Sequence, residues 1–388
     1  MHSSTTPHTK SSQTMITIFA LSTGFFWFSL YAYVPELSTY ADALGASYKF
    51  IGIITGSYGL TQLLLRIPLG IFSDLLGRRK PFILLGLLVA IISSLITFIH
   101  PSAMSLLITR LLAGVSAATW VVFTVLFSSY FHEKEATKSV GYINSYNALG
   151  QMVSMIIGGF ISWRFGPRYL FLLALIGACI GFLIALFITE VNHTKRAFHL
   201  KDYLDVAKNP TLVRVSSLAI LSQLITFASA FGFVPVLAKK MGAVNLQLSF
   251  LTILAIIPAI FISRLAGDLF PRLWGIKKTL TIGSLISAFL CILMPFIPTL
   301  TGLYIAQFIS GIGRSMVFPL LMGLGIQNVA SDHRASAMGL FQAIYGIGMV
   351  LGPVLLGFIG DTFGLVTGFI FTGGIGLMSI FIIAQLDE

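Results

Sequence analysis

GIFSDLLGRRKP, residues Gly70 to Pro81, decides the fold. It places one carboxylate and three adjacent cations on a tight turn. The turn directly follows an apolar run that could cross a bilayer by itself. In isolation such a stretch is an ordinary cytoplasmic loop. Here it follows the second of about twelve membrane-length segments, and that context changes its meaning.

Composition identifies the solvent. The chain has 388 residues, of which 56% are hydrophobic and 10% charged. A soluble domain keeps roughly a quarter of its residues charged. This chain therefore cannot cover a water-facing surface, and lipid must surround it. A helix needs about 20 apolar residues to cross the hydrocarbon. Such runs fall at 15–35, 50–72, 81–99, 103–128, 138–162, 168–189, 213–236, 247–267, 279–298, 301–326, 337–359 and 364–385. They are continuous, not alternating, so helices are predicted and a barrel is not.

A net charge of +11 invites a nucleic-acid reading, but the distribution argues against one. Fifteen Lys and Arg residues, among them Arg78, Arg79, Lys80, Arg196, Lys277 and Lys278, fall on one side of the predicted spans. Five, namely Lys49, Arg164, Arg168, Lys239 and Lys240, fall on the other. This asymmetry predicts a multi-pass protein of the cell membrane with both termini cytoplasmic. The cations then meet anionic lipid headgroups, and no nucleic-acid partner is expected. Residues 1–14 are Ser, Thr and His rich and are expected to be a disordered cytoplasmic tail. The apolar run after them is too long for a signal peptide. Cys179 and Cys291 lie inside apolar spans and read as packed thiols, with no disulfide or metal framework.

The two halves echo each other. YVPELSTYADALGAS (33–47) is similar to FVPVLAKKMGA (233–243), and RLLAGVSAA (110–118) to QFISGIGRS (307–315). GYINSYNALGQ (141–151) is similar to GLFQAIYGIGM (339–349), with Gly141 matching Gly339 and Gly150 matching Gly348. The predicted organisation is a bundle over 15–189, a cytoplasmic linker over 190–212 and a second bundle over 213–388. Within the linker, 199–208 could form a short surface helix. Six-helix halves of this kind build a pseudosymmetric transporter with a site near the midplane. The fold class expected is all-α, with twelve transmembrane helices in two six-helix bundles.

With these elements in place, the chain resembles the major facilitator superfamily, in its twelve-helix drug- and metabolite-exporter-like branch. The resemblance rests on Gly70, Asp74, Gly77, Arg78 and Arg79 between helices two and three. Arg110 and Gly114 in helix four match a second motif. The resemblance implies alternating access, with Asp74 helping to hold an outward-open state and Arg110 facing the cavity. It also implies small-molecule substrates. A drug-antiporter motif in helix five is only partly present: Gly150, Gly158 and Gly159 remain, but Ser154 and Met155 stand where the family has Gly-Pro. A Gly-Pro appears in helix eleven instead, at Gly352 and Pro353, which leaves the direction of transport open. The element Arg66, Ile67, Pro68 is similar to that of some siderophore exporters. A weaker echo of the loop runs through Arg264, Gly267, Asp268, Arg272, Gly275, Lys277 and Lys278. There Arg264 and Asp268 are spaced for a same-face pair.

Charges inside spanning helices are costly and usually functional. Arg66, Arg110 and Arg314 qualify, and no Asp or Glu is expected deep in a span. Tyr58, Gln62, Arg66, Gly70 and Asp74 recur every fourth residue along one stripe. Gln307 precedes Arg314 in helix ten. Asn144, Asn147 and Gln151 form a row in helix five, Thr226 belongs to one in helix seven, and Gln342 and Tyr345 sit in helix eleven. Trp27 and Tyr31 face inward from helix one. Each polar residue has a plainer alternative, a hydrogen bond between helices that serves packing. Arginines without deep acidic partners favour a negatively charged substrate, because the guanidinium holds carboxylate or phosphate by two parallel bonds. Glu36 is the nearest candidate for carrying a proton, although a solvated rim carboxylate is the favoured reading; coupling to protons stays open.

The function expected is secondary transport of a small anionic or carboxylate-bearing molecule, most readily as an exporter of a drug, metabolite or metallophore. The chain could act as a monomer. The first alternative is uptake of sugars or organic acids. The second is a membrane enzyme or receptor. Against the second, all seven histidines fall in tails or loops, no Walker-type glycine loop is present, and no cofactor or metal site is expected.

Overall fold

The computed structural model describes residues 8–131, 136–190, 209–267, 269–327 and 334–386. Among these residues, eleven helices are long and apolar enough to cross a membrane. We name the spans in chain order: α1 (Gln13–Ala43), α2 (Tyr48–Leu76), α3 (Lys80–Ile99), α4 (Ala103–Ser128), α5 (Ala136–Phe165), α6 (Arg168–Ala185), α7 (Pro210–Lys240), α8 (Asn245–Ser263), α9 (Ile276–Phe296), α10 (Leu300–Gln327), α11 (Arg334–Phe363) and α12 (Leu365–Ala384). The twelfth span is α5, 30 residues long. Its polar row at Asn144, Asn147 and Gln151 makes it the least apolar of the set.

Some boundaries differ from the sequence expectation. Helical backbone begins at His8, so the second half of the segment expected to be disordered extends α1. Similarly, α7 begins at Pro210 because the Asn209 side chain accepts hydrogen bonds from the backbone N–H groups of Thr211 and Leu212. This N-cap claims residues 210–212 from the expected linker. Linker residues 191–208, with the expected surface helix at 199–208, lie outside the described residues. So do Asp268 and the Arg264 side chain.

The internal repeat is visible in the backbone. Among the described residues, the glycines with positive φ are Gly45, Gly77, Gly166, Gly242, Gly275 and Gly364. They form three pairs, Gly45 with Gly242, Gly77 with Gly275 and Gly166 with Gly364, at corresponding turns of the two halves. Span α1 breaks into a 3-10 turn at Val34–Glu36, and α7 into a π turn at Ser229–Phe233. In each, helix resumes around a proline, Pro35 or Pro235, whose missing N–H costs nothing in a first turn.

Within the first half, α1 packs on α5 and α6, α2 on α4, and α3 on α4 and α6; in the second, α7 packs on α11, α8 on α10, and α9 on α10 and α12. The halves meet along α2 with α11 and α5 with α8. Close approach is licensed by glycine. A Cβ at Gly150 would stand 2.2 Å from the Gly24 carbonyl oxygen, and one at the matching Gly348 would stand 2.0 Å from that of Ile220. Gly114 and Gly311 repeat the arrangement, against the carbonyls of Tyr58 at 2.4 Å and Ala255 at 2.6 Å. The seam between the halves has the same device, with a Cβ at Gly52 only 2.2 Å from the Pro353 carbonyl oxygen.

Gly348→Ala should therefore cost about 1–3 kcal/mol through overpacking. Gly339→Ala, where nothing lies within 4 Å, should be neutral or stabilise by about 0.5–1 kcal/mol from helix propensity alone. Thermal unfolding of the two variants in detergent checks the contrast.

Candidate functional site

A cavity of about 250 Å³ lies between the halves. From the first half, α1 supplies Trp27 and Tyr31, α2 supplies Tyr58, Gln62 and Arg66, and α5 supplies Asn144, Asn147 and Gln151. From the second half, α11 supplies Gln342 and Tyr345. The amphipathic rows read from the sequence thus converge, because each occupies the inward face of its helix. Trp120, Gln223, Phe227, Phe318, Met322 and Met349 complete the wall. Sequence reasoning passed over these six. Only Gln223 had a detectable signal, being polar and adjacent to the helix-seven row of Ser222, Thr226 and Ser229 that spacing of three and four marks out.

Arg66 is 5% exposed and joins the two halves. Its Nη1 donates to the Tyr345 hydroxyl at 2.7 Å and to the Gln342 carbonyl at 3.3 Å. Its Nη2 donates to Gln62 Oε1. The charge meets neutral acceptors on both sides of the seam, its Nε is buried without a partner among the described residues, and no described carboxylate touches it.

Arg314 borders a second cavity of about 220 Å³. This cavity is lined by Ser222, Thr226, Ser263 and Ser315 and shares Gln223 and Phe318 with the first. Arg314 Nη1 donates to Ser310 Oγ at 2.7 Å and Nη2 to the Ala255 carbonyl at 3.2 Å.

Three candidates stand apart from both cavities. Arg110, expected to face the cavity, is buried behind Tyr58, its guanidinium 4.2 Å from the centre of that ring. Close packing of α4 on α2 at Gly114 sets the arginine against the aromatic face, where a cation–π contact replaces solvent. Gln307 is fully buried in α10 with no hydrogen-bond partner among the described residues.

Glu36 corrects the expectation of a solvated rim carboxylate, being 2% exposed. The break in α1 tucks it beneath α5, where Ser162 Oγ donates to Glu36 Oε2 at 2.6 Å. Asn245 Nδ2, at the start of α8, donates to Ser162 Oγ at 2.9 Å. Lys239 Nζ in α7 donates in turn to Asn245 Oδ1 at 3.3 Å. A continuous polar chain from Glu36 to Lys239 thereby spans the seam at the end opposite the loop.

In the loop, Asp74 pairs with Arg79 at 3.2 Å. Gly77 takes φ +65°, which ends α2. The Glu190 side chain accepts from the backbone N–H groups of Arg79 and Lys80 at the start of α3, a favourable place for a carboxylate. Arg78 makes no described hydrogen bond and lies at the turn. A Cβ at Gly70 would meet Val121 at 3.8 Å, an ordinary contact. Cys179 and Cys291 are free thiols, the first half-buried and the second buried. Among the described residues no His, Cys, Asp and Glu cluster could hold a metal.

Comparison with known proteins supplies the family. The profile described as Major Facilitator Superfamily matches residues 19–272 and 215–387. An uncharacterized MFS-type transporter of Methanocaldococcus jannaschii, MJ1560, is 26% identical over 346 residues, 85% of this chain and 87% of that protein. Multidrug resistance protein 2 of Bacillus subtilis is 25% identical over 377 residues, 89% and 90% of the two chains. Among solved structures, the nucleoside transporter NupG superposes with a TM-score of 0.72 at 17% identity, covering 96% of this chain and 100% of that one. The human organic anion transporter MFSD10 gives 0.70 at 18% identity, covering 96% and 99%. At these identities the structural likeness speaks to the fold alone.

The wall assignments can be tested by thiol labelling in a background lacking both native cysteines. Cysteines placed at Asn147 and Gln342 should react with a membrane-impermeant maleimide in detergent. A cysteine at Gln307 should react only after unfolding. The reverse pattern would remove the cavity from the seam.

Proposed function

The chain belongs to the Major Facilitator Superfamily, and from that premise we propose that it exports a small anionic or carboxylate-bearing organic molecule by alternating access. It is a multi-pass membrane protein and a secondary transporter. The observation that carries the finer reading is the charge of the cavity walls. Arg66 borders one cavity and Arg314 the other, and among the described residues no Asp or Glu lines either. A pocket for lipophilic cations would need the opposite sign. Similarity to a multidrug resistance protein supports export.

We place residues 15–189 and 213–388 as the moving halves, 190–212 as their cytoplasmic connection, and both termini in the cytoplasm. In this orientation the structure is sealed on the outer side by the chain from Glu36 to Lys239 and by the glycine contacts of α2 with α11. Opening outward breaks that seal. It also moves α11 relative to the loop, so that Asp74 can exchange Arg79 for a partner on the facing half. Arg66, bonded to both halves, must release Gln342 and Tyr345 in any such step and so senses the seam. For coupling, left open by the sequence, we propose protons, with Glu36 as the buried carboxyl available to carry one.

Flux of labelled organic anions in proteoliposomes tests the reading. Efflux that follows an imposed gradient supports export. Accumulation of sugars or organic acids instead supports uptake. Turnover of a substrate by solubilised protein without vesicles would make the chain an enzyme. Asp74→Asn should slow flux about tenfold, about 1.4 kcal/mol in the barrier, with equilibrium binding unchanged. Unaltered flux in that variant would reduce the loop to a topology signal.

A further inference from the structure

The arginines that border the two cavities are not equivalent as anion sites. Arg66 spends three of its five N–H donors, one on Gln62 of its own helix and two across the seam on Gln342 and Tyr345, and its Nε has no partner among the described residues. An anion there would have to displace protein acceptors. Arg314, more than nine-tenths buried, uses two of its five N–H donors on Ser310 and Ala255. It has no described acidic partner and borders a mainly apolar cavity to which Ser222, Thr226, Ser263 and Ser315 bring hydroxyls. A buried guanidinium with unused donors is matched by a carboxylate accepting two parallel bonds.

The adjoining cavity has a different chemistry. Trp27 and Trp120 meet edge to face with ring centres 5.2 Å apart, and Phe227 stacks on Tyr58. The indole N–H of Trp27 is buried without a partner. The aromatic side of this cavity, Trp27, Trp120 and Phe227, accepts the flat face of a ring, and the amides of Gln62, Asn144, Asn147 and Gln151 opposite leave room for polar groups at its edge. Gln223 and Phe318 line both cavities, so one ligand can reach across that shared wall.

Building on the transporter reading above, we propose that the substrate is an aromatic carboxylate, its anionic group held by Arg314 and its ring seated between Trp27, Trp120 and Phe227. Arg66 acts as the clasp between the halves and does not contact the anion. Such a ligand touches α1, α4 and α10 at once. Its binding energy then depends on the relative placement of the halves, which a ligand must achieve to shift a conformational equilibrium.

The test uses the purified full chain in nanodiscs with two probes of the same shape, 2-naphthoate and its neutral amide. Binding is read by quenching of tryptophan emission. Naphthoate should bind at least about tenfold tighter than the amide, the value of about 1.4 kcal/mol of charge-assisted bonding. Arg314→Gln should erase that preference, Arg66→Gln should retain it, and replacing Trp27 and Trp120 together by Phe should remove the quench. Equal binding of the two probes, a preference that survives Arg314→Gln, or no quench by either probe would overturn the proposal. A second measurement on the unaltered chain covers the case in which Arg314→Gln does not fold. Naphthoate, and not the amide, should protect Arg314 from phenylglyoxal as read by peptide mass, and equal modification under both probes refutes the site. Vesicle flux separates the two levels. Arg314-dependent binding without flux in either direction would defeat the transporter reading and leave the site standing. Flux that is indifferent to Arg314 would do the reverse.

Discussion

In hydrocarbon, apolar side chains gain nothing by leaving lipid for protein, so helix association rests on how closely backbones can approach. The rest of this structure depends on that constraint. Gly150 against Gly24, Gly348 against Ile220, Gly114 against Tyr58 and Gly311 against Ala255 are positions where even a methyl group would collide with a carbonyl. Matching glycines do the same work in each half, and the two halves therefore take the same shape. Gly52, Gly56 and Gly59 extend the device across the seam, where a Cβ would strike Pro353, Val350 or Met349. The joint between the halves combines these backbone contacts with apolar and aromatic ones, among them Tyr58 on Phe227, Tyr48 on Phe233 and Tyr31 on Phe231.

Where the helices do not touch, polar rows face one another and the charges find neutral partners. Arg66 bonds to an amide, a carbonyl and a phenol, while Arg110 lies on a tyrosine face. Glu36 is held through a serine and an asparagine that lead to a lysine. Charge neutralised this way stays movable, because each neutral acceptor can be exchanged at modest cost. An ion pair buried at the same depth would be harder to break, since each partner would be left as an uncompensated charge. Polar contacts of this kind would suit the opening of the seam proposed above.

The amphipathic rows made much of the cavity readable in advance. Tyr58, Gln62 and Arg66 sit on one stripe of α2. Asn144, Asn147 and Gln151 do so on α5, as do Gln342 and Tyr345 on α11, and a helix presents such a stripe to a single neighbour or cavity. The method fails where a side chain is apolar or where helices turn. Phe227 and Met349 carry no polar signal, and their place in the wall follows from packing alone. Arg110 has the right spacing to face inward, yet Tyr58 from the adjacent helix covers it. Glu36 was read as a rim residue because it stands at the outer end of the first apolar run, next to Pro35; the break in α1 there instead folds the carboxylate inward.

The sequence by itself determined the solvent, the twelve spans, the twofold repeat and the faces that turn away from lipid. These follow from composition and from periods of three and four, which are local properties of a chain in hydrocarbon. Tertiary structure alone decided which charges border open space. Helix crossings set by a few glycines place one arginine at the seam, one beside a second cavity and one beneath a ring, and no local rule encodes those crossings. It also decided that Glu36, Ser162, Asn245 and Lys239, far apart in sequence, close one end of the molecule together, because only the docking of the two halves brings α1, α5, α7 and α8 to a common point.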